Sequence, residues 1–330
     1  MMDWTDRHCR FFLRQFSPHT LLYTEMINAM AILRGDRARL MRYSPEEHPL
    51  AIQLGGSDPV QLAAAARQAE DAGYIEVNLN CGCPSDRVHA GAFGACLMLQ
   101  PALVAECVQA MKQVVSVPVT VKYRVGVVDR ERRGELSARD AALDFDARDT
   151  EALHTFTATI VDAGADRLIV HARKAVLGGL SPHENRTVPP LRFEAAAALH
   201  AAYPGIPMVL NGGLRTRDQV LGALHEFDGV MIGREAYHRP EVLAELDAAL
   251  RPADAPAFQP AGIVAAMGEY ALRETSQGTP LSAITRHMLG LISGRPGAKA
   301  LRQLLSEEVR RGAEASVVFG RAEALVRQAA

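Results

Sequence analysis

Residues 58–84 read DPVQLAAAARQAEDAGYIEVNLNCGCP, and this stretch contains the repeating pattern from which the fold class is predicted. Its first half predicts a helix that Asp58 can cap, with Pro59 suited to the first turn and Gly73 at the end. A short apolar run, Tyr74–Asn80, follows at once and predicts a buried strand. The pattern is therefore helix, tight turn and strand, with polar and sulfur-containing residues after the strand.

The same alternation recurs over the first 233 residues. Seven strands are predicted, at Thr20–Met26, Pro49–Leu54, Tyr74–Asn80, Val117–Arg124, Asp166–His171, Ile206–Asn211 and Asp228–Gly233. Further helices are predicted at about Pro101–Val115 and Leu136–Ala163. Strands that alternate with helices imply right-handed βαβ units and a parallel sheet, and this number of strands favours an α/β fold of the (β/α)8 TIM-barrel type. No GxGxxG motif follows a strand, which disfavours a doubly wound dinucleotide fold.

Seven strands are one fewer than this barrel needs. Residues Met1–Asp6 look like the loop after a first strand, and a helix at Asp6–Phe16 comes next. Three explanations are open: the chain is truncated, its start is assigned too late, or the barrel closes differently. We expect the first strand to be missing.

After residue 250 only helical periodicity remains. Four helices are predicted, at Ala261–Glu274, Ser282–Ile292, Ala298–Arg311 and Phe319–Gln328. We therefore divide the chain into a barrel domain, residues 1–250, and a small all-helical domain, residues 251–330. Asp129–Glu151 is dense in charges of both signs, and we expect it to be an exposed insertion after the fourth predicted strand.

Composition narrows the class of protein. Of the 330 residues 48% are hydrophobic, which supports a large core, and no apolar run is long enough to span a membrane. Five cysteines, an odd number, suit a reducing cytoplasm. The net charge of −2 hides basic ends: residues 1–43 carry +3 and residues 281–330 carry +4. Such ends permit binding of a polyanion, although a random asymmetry would look the same.

Polar residues stand at the carboxyl ends of six predicted strands, which meet at one rim in a parallel barrel. They are Gln53, Asn80, Lys122 with Arg124, His171, Asn211-Gly212-Gly213 and Gly233-Arg234. An inward Lys122 needs an anionic partner, either Glu76 or a bound anionic cofactor. The glycines after the last two strands indicate either a phosphate site or ordinary turns. Flavin mononucleotide would satisfy the phosphate site, Lys122 and His171 together.

Two cysteines follow the third predicted strand. A Cys-x-Cys pair could begin a metal site, but no second pair follows at ligand spacing, so we predict no metal. Cys83, directly before Pro84, is placed for chemistry, whereas Cys81 is expected to pack into the wall. A protonated thiol can act as a general acid.

These motifs together resemble the tRNA-dihydrouridine synthases. The resemblance is carried by Asn80–Asp86 (NCGCPSD), Gln53–Gly56, Val121–Arg124, His171–Lys174, Asn211–Gly213 and Gly233–Glu235. Asp3–Arg7 (DWTDR), Arg286–Gly290 (RHMLG) and Gly294–Ala298 (GRPGA) are similar to the A subfamily in particular. Nearly the whole chain is covered, in order.

The resemblance implies an FMN barrel followed by a helical tRNA-binding domain, and reduction of D-loop uridines at tRNA positions 20 and 20a. In the family NADPH reduces FMN, the flavin transfers hydride to uracil C6, and a cysteine protonates C5. Cys83 matches that cysteine, and Asn80 and Arg124 match the groups that hold the uracil. The residues matching cofactor contacts are Met2, Gln53, Lys122, His171, Asn211, Gly212, Gly213, Gly233 and Arg234. Those matching tRNA contacts are His183, Arg186, Lys299 and Arg302.

Four departures from the family pattern accompany the resemblance. Cys81 stands where an apolar residue is expected, and Tyr123 stands where a smaller residue is common. The insertion Asp129–Glu151 is longer than usual, and the first strand is missing. Because that strand normally ends against the flavin, we expect this chain to bind FMN poorly. We also expect a cytoplasmic monomer. Two alternatives stay open: an FMN barrel that acts on a free pyrimidine or other small molecule, and a non-catalytic tRNA-binding relative.

Overall fold

All seven predicted strands are present in the computed structural model, which describes residues 1–85, 93–254 and 257–328. They are β1 (Leu22–Asn28), β2 (Leu50–Gly55), β3 (Glu76–Cys81), β4 (Val119–Arg124), β6 (Arg167–His171), β8 (Met208–Asn211) and β9 (Gly229–Met231). Two further strands, β5 (Val127–Val128) and β7 (Ala175–Val176), form a separate small sheet that the sequence did not predict. Asp86, the last residue of the motif that begins at Asn80, lies outside the described residues.

The order of the strands in the sheet confirms the predicted fold class. The order is β1-β2-β3-β4-β6-β8-β9, so each long strand lies beside the next one in the chain. The pairs from β2 to β9 are parallel. A doubly wound sheet would reverse its direction at a switch point, whereas a (β/α)8 barrel adds strands in one direction. The chain therefore has seven successive strands of the barrel type.

Helices alternate with the long strands along the chain. Those up to residue 250 are α1 (Arg7–Arg14), α2 (Ala29–Arg34), α3 (Arg37–Leu40), α4 (Pro59–Asp71), α5 (Pro101–Lys112), α6 (Arg130–Arg133), α7 (Ala138–Leu143), α8 (Ala147–Asp162), α9 (Phe193–Ala202), α10 (Arg217–Ala223), α11 (Arg234–His238) and α12 (Glu241–Leu250). The predicted cap of α4 is present, because the Asp58 carboxylate accepts the Gln61 N–H at 2.9 Å. On β4 the phenol of Tyr123 hydrogen-bonds Thr157 of α8, so this side chain faces the helices as its position in the strand predicts.

The single helix predicted at Leu136–Ala163 was wrong, because two helices, α7 and α8, occupy that range. The break lies at Asp144–Asp146, where the Asp146 carboxylate caps α8 by accepting the N–H groups of Arg148 and Asp149. An aspartate that can bond its own backbone competes with helix continuation, so it starts a new helix. Apolar residues of the insertion, of the small sheet and of the segment after β7 pack together; they are Val128, Ala141, Ala142, Val176 and Leu180.

The described part of the chain beyond residue 257 contains only helices and turns. They are α13 (Pro260–Thr275), α14 (Leu281–Thr285), α15 (Ala298–Gln303), which continues into a wider π turn at Leu304–Glu308, and α16 (Ala315–Gln328). The helix predicted at Ser282–Ile292 was too long, because α14 gives way to a 3-10 turn at Met288–Gly290. There Gly290 lies so close to the His238 carbonyl that a Cβ would be 2.4 Å from its oxygen.

Contacts divide the chain into two compact units. The sheet unit consists of Met26–Arg42 and Leu50–Ile232, and the helical unit of Met1–Glu25, Tyr43–Pro49 and Gly233–Ala330. Inside the helical unit, the carboxylate of Asp6 caps α1 and also accepts from Arg286 at 2.6 Å. The division at residue 250, which was predicted from the change to purely helical periodicity, stays a prediction. In the described ranges, no helix is long and apolar enough to cross a membrane.

Candidate functional site

The register of the sheet unit brings predicted site residues to adjacent positions at the carboxyl ends of the strands. Asn80 of β3 is opposite Lys122 of β4, Arg124 is opposite His171 of β6, and His171 is opposite Asn211 of β8. Side chains at matched positions of neighbouring parallel strands lie on the same face. Four strands thus contribute polar groups to one edge of the sheet.

Lys122 is a half-buried cation without a hydrogen-bond or ion-pair partner among the described residues. Burial lowers the pKa of its ammonium from 10.5 to about 8, and the charge of Arg124 adds to that effect. The alternative in which Glu76 pairs with Lys122 is not what the structure has. Instead, the Glu76 carboxylate accepts from Thr120 and Arg167, at 2.7 and 2.6 Å. Lys122 is therefore available to an anion.

The loop after β3 is held in place by its own backbone contacts. The Asn80 side-chain oxygen accepts the N–H groups of Gly82 and Cys83, at 3.1 and 3.0 Å. The Cys83 carbonyl accepts the N–H of Ala95 at 2.9 Å. These bonds fix both sides of Cys83, and its side chain is partly exposed.

Cys81 is more deeply buried than Cys83. It is completely buried, and burial raises the pKa of its thiol well above 9.0, with a further contribution from Cys107. A thiol that is neither accessible nor easily ionised is an inert packing group.

Arg124 ties the Cys83 loop to two other segments. Its guanidinium donates to the carbonyls of Gly82 at 2.8 Å, Lys174 at 3.3 Å and Asn185 at 2.9 Å. The side chain is buried, and burial lowers the pKa of the guanidinium to about 10. Nε and Nη1 make these bonds, so Nη2 is the nitrogen that could contact a bound molecule.

A bare backbone segment follows β8. Gly212 and Gly213 have φ angles of +119° and +70°, which side chains disfavour. A Cβ on Gly212 would lie 2.7 Å from Cδ2 of the His171 ring, and one on Gly213 would lie 2.3 Å from a methyl carbon of Leu191. Glycine is therefore required at both positions, and the exposed backbone suits a phosphate group. Asn211 is anchored by donating to the Met231 carbonyl at 2.8 Å.

Gln53 joins the site through two amide contacts. Its Nε2 donates to the Asn78 side-chain oxygen at 2.8 Å, and its Oε1 accepts from Asn80 Nδ2 at 2.7 Å. The sequence predicted a site role for Gln53 and Asn80, but not that the two amides would bond each other. That contact depends on the register of β2 against β3, which sequence spacing does not give.

Asn185 anchors the segment that carries His183 and Arg186, and the sequence did not indicate this role. His183 and Arg186 are both exposed; His183 directly precedes the 3-10 turn Glu184–Arg186, and Arg186 is its last residue. Between them, Asn185 is fully buried; it accepts the Val176 N–H at 2.8 Å and donates to the Val176 carbonyl at 3.0 Å. Its partners are backbone atoms, so no sequence signal could identify it.

The remaining predicted site residues belong to the helical unit. Gly233 precedes α11, which begins at Arg234, and Met2 is 57% exposed in an amino-terminal turn. Lys299 and Arg302 are exposed and three residues apart on α15, so they share one face. Neither has an ion-pair partner within the described part of the helical unit. The predicted roles of these residues stay predictions.

Metal ligands are not grouped anywhere in residues 1–85, 93–254 or 257–328: no cluster of three or more His, Cys, Asp or Glu side chains could hold an ion. The fold and the polar edge define a parallel α/β protein of the barrel class. Its site offers a partly exposed thiol, a cation without a partner and a glycine-lined backbone at strand ends.

Comparison with known proteins identifies the family. The profile of the dihydrouridine synthase (Dus) family matches residues 1–328, so the chain belongs to the dihydrouridine synthase family. It is 50% identical over 326 residues to a tRNA-dihydrouridine(20/20a) synthase of Pseudomonas putida, covering 99% of this chain and 92% of that protein. It is 51% identical over 311 residues to the synthase of the same name from Xanthomonas axonopodis pv. citri, covering 94% and 87%. A mandelate oxidase structure with an FMN adduct matches 73% of this chain and 62% of that chain, at 19% identity and a TM-score of 0.39.

Proposed function

We propose that this protein reduces uridine to 5,6-dihydrouridine at positions 20 and 20a of tRNA, with FMN as cofactor and NADPH as reductant. The observation that carries the proposal is the identity of 50% over 326 residues with a tRNA-dihydrouridine(20/20a) synthase. The reaction takes place in the cytoplasm, where its tRNA substrate is modified.

The residues of the sheet unit suit FMN. The backbone of Gly212 and Gly213, beside the ring of His171, would hold the phosphate. The ammonium of Lys122, which has no partner among the described residues, would stabilise negative charge on the cofactor. FMN that is bound and reduced by NADPH would supply the hydride for uracil C6, and the proton for C5 has to come from a group of the protein. Family resemblance supports further cofactor contacts by Gln53 and Asn211 of the same unit.

Cys83 supplies the proton in this proposal. Its backbone is fixed on both sides while its side chain stays partly exposed, which is the arrangement that a positioned general acid needs. The thiol donates to uracil C5. Asn80 and Arg124 orient the ring. Asn80 donates through the second hydrogen on Nδ2 and Arg124 through its Nη2 group, because the hydrogen bonds described above do not use these donors.

The tRNA is bound mainly through its phosphates. Lys299 and Arg302 present two exposed cations on one helix face, and family resemblance adds His183 and Arg186. The target uridine must leave its stack to reach the thiol, which costs a few kcal/mol. The contacts with the tRNA phosphates offset this cost.

Incubation of the protein with FMN, NADPH and unmodified tRNA tests the proposal. Dihydrouridine at positions 20 and 20a is the expected product. Reduction of free uridine but not of tRNA would show instead a small-molecule oxidoreductase. Binding of tRNA without reduction, in the presence of bound FMN, would show a non-catalytic relative.

A further inference from the structure

A continuous chain of side-chain hydrogen bonds runs beneath the site, across strands β2, β3, β4 and β6. In order, its members are Arg167, Glu76, Thr120, Asn78, Gln53 and Asn80, and it ends on the backbone N–H groups of Gly82 and Cys83. We call it the amide chain. Glu76 and Asn80 are four residues apart on β3, so the chain spans about 13 Å of strand.

The first half of the amide chain consists of the ion pair between Arg167 and Glu76 and a buried hydroxyl, that of Thr120, which hydrogen-bonds the same carboxylate. Arg167 donates to one oxygen of Glu76 at 2.6 Å, and the Thr120 hydroxyl donates to the other at 2.7 Å. The Thr120 oxygen in turn accepts from Asn78 Nδ2 at 2.8 Å. Glu76 is 2% exposed, and Asn78 and Thr120 are completely buried, so water does not substitute for these contacts.

The second half consists of three amides in a row. Asn78 accepts from Gln53 at 2.8 Å, Gln53 accepts from Asn80 at 2.7 Å, and Asn80 accepts from the N–H groups of Gly82 and Cys83. Every bond points the same way, with the donor on the Cys83 side. Aligned bonds of this kind polarise and strengthen one another.

The two ends leave only one orientation for the amides between them. A carboxylate only accepts hydrogen bonds, and a backbone N–H only donates. With Glu76 at one end and the Cys83 loop at the other, each amide must place its oxygen toward Cys83 and its nitrogen toward Glu76. A reversed Asn80 would bring its Nδ2 group against two N–H donors and leave all three without acceptors.

We infer that Glu76 is a positioning residue, whose carboxylate fixes the orientation of Asn80 and thereby the backbone of Cys83. The inference rests on the proposed function for its catalytic consequence. In this orientation both lone pairs of Asn80 Oδ1 accept hydrogen bonds from the loop. Nδ2 uses one hydrogen for Gln53, and its second hydrogen can donate to a bound molecule. Asn80 therefore offers a bound base a donor and not an acceptor, which fits a carbonyl oxygen of uracil.

Two substitutions break the amide chain by different routes, and two more are matched controls. Glu76→Gln replaces the carboxylate, which can only accept hydrogen bonds, with an amide that can donate one to Thr120. Thr120→Val removes the hydroxyl and keeps the ion pair between Glu76 and Arg167. Thr120→Ser restores the hydroxyl. Thr157→Val removes a hydroxyl that is equally buried but bonds Tyr123 outside the amide chain.

Hydrogen exchange followed by mass spectrometry reads the loop directly and needs no activity. We expect the amides of Gly82 and Cys83 to exchange about tenfold faster or more in Glu76→Gln and Thr120→Val, and at the parent rate in Thr120→Ser and Thr157→Val. Parent rates in both Glu76→Gln and Thr120→Val would overturn the inference. Faster loop exchange in Thr157→Val would also overturn it, because a general loss of stability would then be the cause.

Single-turnover reduction of tRNA uridine tests the catalytic consequence. The rate constant should fall about tenfold or more in Glu76→Gln and Thr120→Val, with tRNA affinity unchanged and recovery in Thr120→Ser. Equal losses in Thr120→Ser and Thr120→Val would contradict it. If the parent protein makes no dihydrouridine, the proposed function fails, and the exchange measurement still decides whether Glu76 positions the loop.

Discussion

Cys83 and Cys81 are two residues apart and provide an internal comparison of two thiols. Cys83 is partly exposed and fixed by hydrogen bonds on both sides, whereas Cys81 is buried and has a raised pKa. Their chemistry should differ accordingly.

Replacement of Cys83 by Ala should lower the rate of uridine reduction by about 10²–10⁴-fold, the usual contribution of a positioned general acid. Cys81→Ala, the matched control, should reduce uridine at the parent rate. Single-turnover kinetics on tRNA measure both. Full activity of Cys83→Ala would remove the proton-donor role.

The lowered pKa of Lys122 leads to a dependence of cofactor affinity on pH. Burial lowers this pKa from 10.5 to about 8, so the free protein loses the proton as the pH rises through 8. An anionic ligand binds the protonated form better, and binding then takes up a proton. FMN affinity should therefore be highest near pH 7 and fall by up to about tenfold per pH unit above pH 8.

Fluorescence titration of FMN between pH 6 and 9.5 measures this dependence. Lys122→Met is the control, and it should bind FMN weakly with no slope above pH 8. Because the variant also removes a half-buried charge that has no partner among the described residues, its thermal unfolding in the absence of FMN should occur at a higher temperature than that of the parent. A parent protein whose affinity does not change with pH would contradict the proposed anion contact.

The glycine turn after β8 is the element most sensitive to an added methyl group. Gly212→Ala puts a Cβ 2.7 Å from the His171 ring at a φ of +119°, so it should cost more than about 1 kcal/mol in unfolding free energy and abolish FMN binding. Gly222→Ala, in the exposed part of α10 with nothing within 4 Å of the added Cβ, should stabilise by up to about 1 kcal/mol. Denaturant unfolding with and without FMN measures both changes. Unchanged FMN binding by Gly212→Ala would argue against the phosphate site.

The sequence predicted most of the secondary structure because each strand is a short apolar run between turn signals. All seven strands were found within a few residues of their predicted bounds, and α4 was found with its predicted cap. The prediction failed where a local hydrogen bond overrode apolar periodicity, as at the Asp146 cap that divides residues 136–163.

The site was predicted as a set of residue types, but not as a network. The sequence left two partners open for Lys122, Glu76 and a bound anionic cofactor. Whether Glu76 bonds Lys122 or Thr120 depends on how strand β3 registers against β4, and sequence does not fix that register. Contacts to backbone carbonyls, such as those of Arg124, leave no sequence signal at all.

For the molecule as a whole, uneven charge explains how a protein of net charge −2 could bind tRNA. Lys299 and Arg302 are exposed cations without ion-pair partners in the described part of the helical unit, so phosphates would meet them without breaking an existing bond. Arg327 is also exposed, but it bonds Glu323 at 2.6 Å.

Lys299→Ala and Arg302→Ala should each weaken tRNA binding and reduce the slope of log affinity against log salt by about 1. Arg327→Ala removes the same charge from a residue that is already paired, and it should have a smaller effect on both. Binding isotherms at several salt concentrations give the slopes. Equal slopes for the parent protein and both variants would mean that α15 does not contact phosphate.

Mass spectrometry of tRNA after reaction shows most directly whether the protein reduces tRNA uridine. Unmodified tRNA is incubated with the protein, FMN and NADPH, digested and sequenced by mass. We expect a gain of two hydrogen atoms at each of uridines 20 and 20a, which should require both FMN and NADPH and be lost with Cys83→Ala. Unreduced uridine at both positions, under conditions where the protein holds FMN and binds the tRNA, would show that the protein does not catalyse this reduction.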